Sequence, residues 1–272
     1  MDDLTGLRDL ALRAAQAGGE VVRQAFARVP ARGDAERKGF GDYVTDTDRA
    51  SERAVLDALR AGAPDIPALA EESSPELTGG LPAGRVWAVD PLDGTTNFLR
   101  RYPVVAVSVG MLEDGVPVVG AIVAPVLGGA WCAARGHGAY SGAGRELKVA
   151  EHDGRGVAST GFPFRKPYNR ARYLAVFERA LEVNEDLRRA GAAALDLAYA
   201  AEGAFEGFFE LGLSLWDIAA GAVLVLEAGG VVTDWEGDPA GPYRSGDILA
   251  GAPGWHERML SVMRAARSEA AT

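Results

Sequence analysis

An apolar run in this chain stops abruptly on charge. Val86-Trp87-Ala88-Val89 carries no ionisable side chain, and Asp90 follows it directly. A short run that is apolar at every position reads as a strand buried on both faces. Such a strand delivers Asp90 to its carboxyl end, beside a covered core. The segment then continues Asp90-Pro91-Leu92-Asp93-Gly94-Thr95-Thr96-Asn97-Phe98. Asp90 and Asp93 stand three residues apart, with Pro91 fixing the backbone between them. Gly94 allows a tight turn, and Thr95 and Thr96 offer hydroxyls beside free backbone N–H groups. If a helical turn begins here, its N-terminus is an anion site by geometry and dipole. Carboxylates next to an anion site repel an incoming phosphate, and a divalent cation between them resolves the conflict. Its ligands would all be oxygens, which suits Mg²⁺ or Mn²⁺ rather than Zn²⁺. The bland reading is that Asp90 and Asp93 cap a turn, as aspartates often do. The length of the segment and the buried strand before it favour chemistry.

Composition narrows the setting. The chain has 272 residues, 48% hydrophobic and 24% charged, the balance of a soluble globular protein. That length gives one large domain or two lobes sharing a core, with no need of a disulfide or metal clip. Cys132 is the single cysteine, so an intrachain disulfide and a thiolate cluster are excluded, and a reducing compartment fits. The net charge of −10 argues against general nucleic-acid binding, which draws on basic surface. His137, His152 and His256 lack metal-ligand spacing. The acidic start, Met1-Asp2-Asp3-Leu4, does not read as a secretory signal. The longest charge-free apolar runs, 116–127 and 218–226, are shorter than the roughly 18 residues a membrane helix requires. No membrane contact and a cytoplasmic location are expected.

Apolar periodicity predicts helices over 4–28 and about 46–62, with loops over 30–41 and most of 63–84. Strands follow at 86–89, 104–112, 116–123, 129–134, 138–141 and 146–149, with Glu113-Asp114-Gly115 as a hairpin turn. A polar patch at 150–156 suggests a boundary between an N-terminal lobe, 1–150, and a C-terminal lobe, 151–272. The second half reads as strand 157–160, helix 170–183, helix 192–202, strand 204–211, helix 214–228, strands 231–234 and 248–250, and a final helix 255–267.

Other acidic positions are ambiguous on their own. Asp48 follows Thr45, and Asp217 follows Ser214, at capping-box spacing, so each reads first as a helix cap. Glu71 and Glu72 read as solvated loop charge. The blocks together carry a resemblance. Asp-Pro-Leu-Asp-Gly-Thr-Thr-Asn-Phe at 90–98 is similar to the signature of the inositol monophosphatase family. In that family's order come Asp42-Tyr43-Val44-Thr45-Asp46-Thr47-Asp48, Glu71-Glu72-Ser73, and Trp216-Asp217-Ile218-Ala219-Ala220-Gly221 leading to Glu227-Ala228-Gly229-Gly230. Thr160-Gly161-Phe162-Pro163-Phe164 and Leu195-Asp196-Leu197-Ala198-Tyr199 resemble its bacterial branch.

The resemblance spans about residues 4–265 and implies an α+β layered α-β-α-β-α sandwich, with a metal site between two lobes. It implies a Mg²⁺-dependent, lithium-sensitive phosphatase using two or three ions, with Mn²⁺ as a substitute, and a homodimer. Glu71, Asp90 and the Leu92 carbonyl would hold the first ion, and Asp90, Asp93 and Asp217 the second. Glu71 would help hold a third through water. Asp48 and Thr95 would orient and deprotonate the attacking water. The N–H groups of Gly94 and Thr95 would receive phosphate, while Asp93, the Ala193 backbone and Glu210 would contact substrate hydroxyls. One departure stands out: the family commonly has Ser or Thr after the glycine where this chain has Gly191-Ala192.

The implied substrate is inositol 1-phosphate or a similar small polyol or sugar phosphate. The alternatives within the family are fructose 1,6-bisphosphate and histidinol phosphate. A bisphosphate needs a second cationic site, for which Arg165, Lys166, Arg170 and Arg172 are candidates, or else a solvated basic loop. An alternative of another class is a non-catalytic binding or regulatory protein on the same fold.

Overall fold

The computed structural model describes residues 3–28, 35–39, 42–74, 83–151, 156–164 and 170–270. The first layer is a helix pair. In α1 (Leu4–Ala27) the Asp3 carboxylate accepts the Gly6 N–H at 2.8 Å, and the buried face is built from Leu10, Ala11, Ala14, Ala15, Gly18 and Val22. These small residues let α2 (Asp46–Gly62) lie close against it. Ahead of α2, β1 (Ala35–Gly39) and β2 (Asp42–Thr45) form an antiparallel ribbon.

The helix pair covers one face of a six-stranded sheet. Its strands lie in chain order: β3 (Ala68–Ala70), β4 (Arg85–Asp93), β5 (Ala106–Glu113), β6 (Val116–Ala124), β7 (Gly129–Ala134) and β8 (Ala139–Ser141). β3 is parallel to β4 and the other pairs are antiparallel. The β5–β6 hairpin turns on Asp114 and Gly115, at φ 50° and 79°, as a two-residue primed turn demands. Side chains alternate across the sheet. Trp87, Val89, Val107, Val109 and Met111 pack toward the helix pair, while Val86, Ala88, Ala106 and Leu112 enter a second core.

That second core lies against α5 (Ala193–Ala201) and α6 (Leu215–Glu227). In α6 every residue from Ile218 to Val225 is buried, as expected of a helix enclosed on all sides. It meets the first sheet where Gly110 and Gly120 stand side by side on β5 and β6. A β-carbon on Gly120 would lie 2.3 Å from the Ala220 carbonyl oxygen, so only glycine admits the helix this closely.

Beyond these helices is a five-stranded sheet ordered β10 (Asp186–Arg188), β9 (Val157–Thr160), β11 (Gly207–Glu210), β13 (Ile248–Gly251), β12 (Val231–Thr233). α4 (Arg170–Val183) and α8 (Pro253–Ala270) pair in the outer layer, with α8 against β13. Short α3 (Thr95–Leu99) and α7 (Pro242–Ser245) complete the elements. The architecture is the expected α-β-α-β-α sandwich. The boundary read near 150–156 falls between the last strand of one sheet and the first of the other, and residues 152–155 lie outside the described residues.

Several short elements differ from expectation. The stretch 30–41, read as loop, contains β1, and the stretch 63–84 contains β3, held by main-chain bonds such as Trp87 N to Pro67 O at 2.8 Å. The expected strand over 146–149 reduces to a single bridge between Glu146 and Tyr140. β10 was not expected, and β11 starts at Gly207 because Ala204 and Phe205 donate back to the Tyr199 carbonyl.

Candidate active site

The site starts from a defect in β4. Asp90 pairs with Ser108 and Asp93 with Ala106, so three steps on β4 oppose two on β5. This is a bulge, the place in a sheet where a proline such as Pro91 fits. Residues three apart on a regular strand point to opposite faces; the extra residue lets Asp90 and Asp93 serve one side. Asp90 is 2% exposed, and its Oδ1 accepts the Leu92 N–H at 2.9 Å. Burial first, then the charges of Glu71, Asp93 and Asp217, push its carboxyl well above the usual range. Asp93, Glu71 on the turn after β3, and Asp217 on the first turn of α6 thus lie within electrostatic reach of Asp90.

Asp48 serves two purposes at once. Its Oδ2 accepts the Thr45 N–H at 2.8 Å and also meets the Thr45 hydroxyl, while the Asp48 N–H reaches Thr45 Oγ1 at 3.4 Å. This is a capping box at the start of α2. Its Oδ1 is left to accept the Thr95 hydroxyl at 2.9 Å. Burial raises the Asp48 pKa against the lowering effect of these hydrogen bonds. Thr95 Oγ1 also lies 3.2 Å from the Leu92 carbonyl, one of the expected metal donors. Asp217 repeats the cap: its Oδ2 accepts the Ser214 N–H at 2.7 Å.

Gly94 precedes α3 at φ 91°, and a β-carbon there would stand 2.9 Å from the Val104 carbonyl. Asp93 Oδ2 accepts the Ala194 N–H at 2.8 Å, joining the bulge to the first turn of α5 beside Ala193. This contact acquires weight from the alanine at 192: Ala192 is the N-cap of α5 and offers no side-chain acceptor. Glu210, at the end of β11, lies over Gly161, where a β-carbon would fall 1.9 Å from its carboxylate oxygen. Among the basic candidates, Arg165 and Lys166 lie outside the described residues. Arg172 is engaged by Asp247 at 2.7 Å and Glu236 at 3.4 Å and stacks on Trp235. A hollow between α4 and α8, lined by Arg179, Glu182, Glu257 and Arg258, belongs to the outer layer and not to these carboxylates.

Sequence reasoning gave no role to several side chains that build the site. Asn97 Nδ2 donates to the Val104 carbonyl at 2.8 Å and the Ala190 carbonyl at 2.9 Å, tying α3 to the approach of α5. Ser51 Oγ donates to the Pro91 carbonyl at 2.7 Å, and Glu52 Oε2 accepts the Glu72 N–H at 2.8 Å. Asp196 is 2% exposed, its Oδ1 without a hydrogen-bond partner; burial, then Glu210 and Asp93, raise its pKa strongly.

The sequence profile described as the inositol monophosphatase family matches residues 3–268. The chain belongs to the inositol monophosphatase family. It is 38% identical over 262 residues to the Nus factor SuhB of Salmonella typhimurium strain LT2, covering 96% of this chain and 97% of that protein. It is 39% identical over 257 residues to a putative Nus factor SuhB of Neisseria meningitidis serogroup B, covering 94% and 97%. Among solved structures, the extragenic suppressor protein suhB of Bartonella henselae superposes with a TM-score of 0.86 at 33% identity, over 94% of this chain and 98% of that one. An inositol monophosphatase from Anabaena superposes with a TM-score of 0.82 at 34% identity, over 97% of each. Family membership accounts for the order of the motif blocks and for the layered fold.

The donor set fits a hard divalent cation by its chemistry. All the donors are oxygens, and the repulsion that raises the Asp90 pKa is what a cation would remove. Among the described residues, no three acidic, histidine or cysteine side chains stand together as a group that could hold a metal ion. The fit therefore rests on charge and donor type. No helix among the described residues is long and apolar enough to cross a membrane.

Proposed function

We propose that this chain is a Mg²⁺-dependent phosphomonoesterase acting on inositol 1-phosphate or a similar small polyol or sugar phosphate. The observation that carries this reading is Asp90, buried in the β4 bulge and close enough to Asp93, Glu71 and Asp217 to feel the charge of each. Glu71, Asp90 and the Leu92 carbonyl would hold one ion, and Asp90, Asp93 and Asp217 another, with Glu71 reaching a third through water. Bound Mg²⁺ would lower the pKa of the attacking water and neutralise the departing alkoxide.

The chain's own residues do the rest. Thr95 Oγ1 donates to Asp48 Oδ1 at 2.9 Å, so the hydroxyl can take a proton from water as Asp48 receives the threonine proton. The water oxygen bonds to phosphorus as the ester P–O bond breaks; the departing alkoxide takes up a proton from solvent and Asp48 returns its own to solvent, giving the free polyol and inorganic phosphate. The N–H groups of Gly94 and Thr95 orient the phosphate. Asp93, the Ala193 backbone and Glu210 contact ring hydroxyls. A homodimer is part of the proposal, supported by exposed Phe164, Leu174 and Leu181, two of them on α4.

The names of the Salmonella and Neisseria relatives favour a second reading, a binding role in transcription on the same fold. The net charge of −10 favours a protein partner over nucleic acid in that role. The test is phosphate release with Mg²⁺ and with EDTA from inositol 1-phosphate, fructose 1,6-bisphosphate, histidinol phosphate and adenosine 3′,5′-bisphosphate. Mg²⁺-dependent preference for inositol 1-phosphate is expected. Preference for another ester would move the substrate, and no release from any would favour the binding role.

A further inference from the structure

α2 presents Asp48, Ser51 and Glu52 on one face, since residues three and four apart share a helix surface. All are buried, at 1%, 0% and 4% exposure. Each is directed at a different part of the site. Asp48 meets Thr95, Ser51 donates to the Pro91 carbonyl inside the β4 bulge, and Glu52 accepts the N–H of Glu72. The turn that carries Glu71 is closed on itself, with Ser74 N donating to the Ala70 carbonyl at 3.0 Å and Ala70 N donating to Ser74 Oγ at 2.8 Å. That turn is fixed to β4 by Glu71 N to Val89 O at 3.1 Å and to α2 by Glu52.

A buried glutamate is rare unless something requires it. Here one of its oxygens, Oε2, accepts a backbone N–H one residue past an acid of the site. We propose that Ser51 and Glu52 are positioning residues that set the metal affinity of the site. They hold the Glu71 turn and the Asp90–Asp93 bulge at fixed distances from each other and from Asp48. This rests on the proposed metal-dependent reading. Side chains one step removed from the ligands commonly alter metal affinity by about 10–100-fold when lost.

The experiment is calorimetric titration of the full chain with Mg²⁺, without substrate, alongside thermal unfolding in EDTA. Glu52→Ala is expected to weaken Mg²⁺ binding about 10-fold. Glu52→Gln keeps an oxygen acceptor for the Glu72 N–H and is expected to stay within about 3-fold of wild type, a rescue that general loss of stability would not give. Ser51→Ala removes only a hydroxyl and is expected to weaken binding about 3-fold; it decides the question if Glu52→Ala does not fold. Wild-type affinity in both alanine variants would overturn the proposal, as would equal loss in Glu52→Gln and Glu52→Ala. A wild-type chain that binds no Mg²⁺ would instead overturn the metal-dependent reading beneath it, and this proposal with it.

Discussion

Replacing Gly120 by alanine tests how the fold places Asp217. The new β-carbon would lie 2.3 Å from the Ala220 carbonyl oxygen and 2.9 Å from that residue's Cα, where ordinary contact begins at 3.4 Å. The obstacle is helix backbone and cannot rotate away, so α6 must retreat by about 1 Å to relieve an overpacked contact. Overpacking of this kind costs about 1–3 kcal/mol, and a backbone obstacle belongs at the upper end. At about 2–4 °C per kcal/mol for a large domain, Tm should fall by about 6–12 °C. Asp217 rides on the first turn of the same helix. A misplacement near 1 Å at a reacting site costs about 100-fold, so turnover at 25 °C should fall by that order while the variant is still folded. Gly128→Ala is the control: it has open space around it but φ 84°, so it adds backbone strain of about 1–2 kcal/mol without moving α6. Circular dichroism melts and phosphate release measure both effects. A Gly120→Ala protein melting within about 2 °C of wild type, at unchanged turnover, would refute the close-approach argument.

Other consequences follow from single contacts. His256 is buried against Thr233 Oγ1 at 2.8 Å, and burial lowers its pKa from 6.5 to about 4. The unfolded chain therefore takes up a proton that the folded chain refuses. This stability is fully present above pH 6.5 and is lost as pH falls toward 4, by about 2 kcal/mol at pH 5. Urea unfolding at pH 7 and pH 5 should show that loss, and His256→Gln should make the pH dependence shallower; an unchanged slope would contradict it. Thr95→Ala removes the donor to Asp48 and should lower turnover about 100-fold at constant Tm, with Thr95→Ser retaining most activity. Ala192→Ser supplies the missing N-cap acceptor of α5 and should stabilise by about 1 kcal/mol in denaturant unfolding; a lower midpoint would count against that reading of the cap.

The legible parts of this protein were those written contiguously. The apolar run before Asp90, the Asp114-Gly115 hairpin and the periodic helices α1, α2 and α6 each carry their own signal. The Thr45 to Asp48 spacing announced a cap, and the structure shows that a cap leaves the other carboxylate oxygen for Thr95. β1, β3 and β10 carry no readable pattern because they are three to five residues long and owe their place to main-chain pairing, not to side-chain pattern. Glu71 and Asp217 had no local pattern tying them to Asp90; the ordered resemblance supplied that link. Ser51, Glu52 and Asn97 were silent for a different reason. Each bonds a backbone group of a distant segment, Pro91, Glu72 or Ala190, and a sequence carries no spacing rule for such contacts.

Phosphate release from inositol 1-phosphate across a Mg²⁺ titration, for wild type and Asp93→Asn, separates a metal-dependent phosphatase from a binding protein on this fold. Asp93 adds charge to the Asp90 cluster and also accepts the Ala194 N–H, a bond the asparagine oxygen can keep. Wild-type turnover is expected to rise with Mg²⁺ and vanish in EDTA, and Asp93→Asn is expected to fold with its turnover collapsed. Unchanged turnover in Asp93→Asn, or hydrolysis indifferent to EDTA, would contradict the metal-dependent reading.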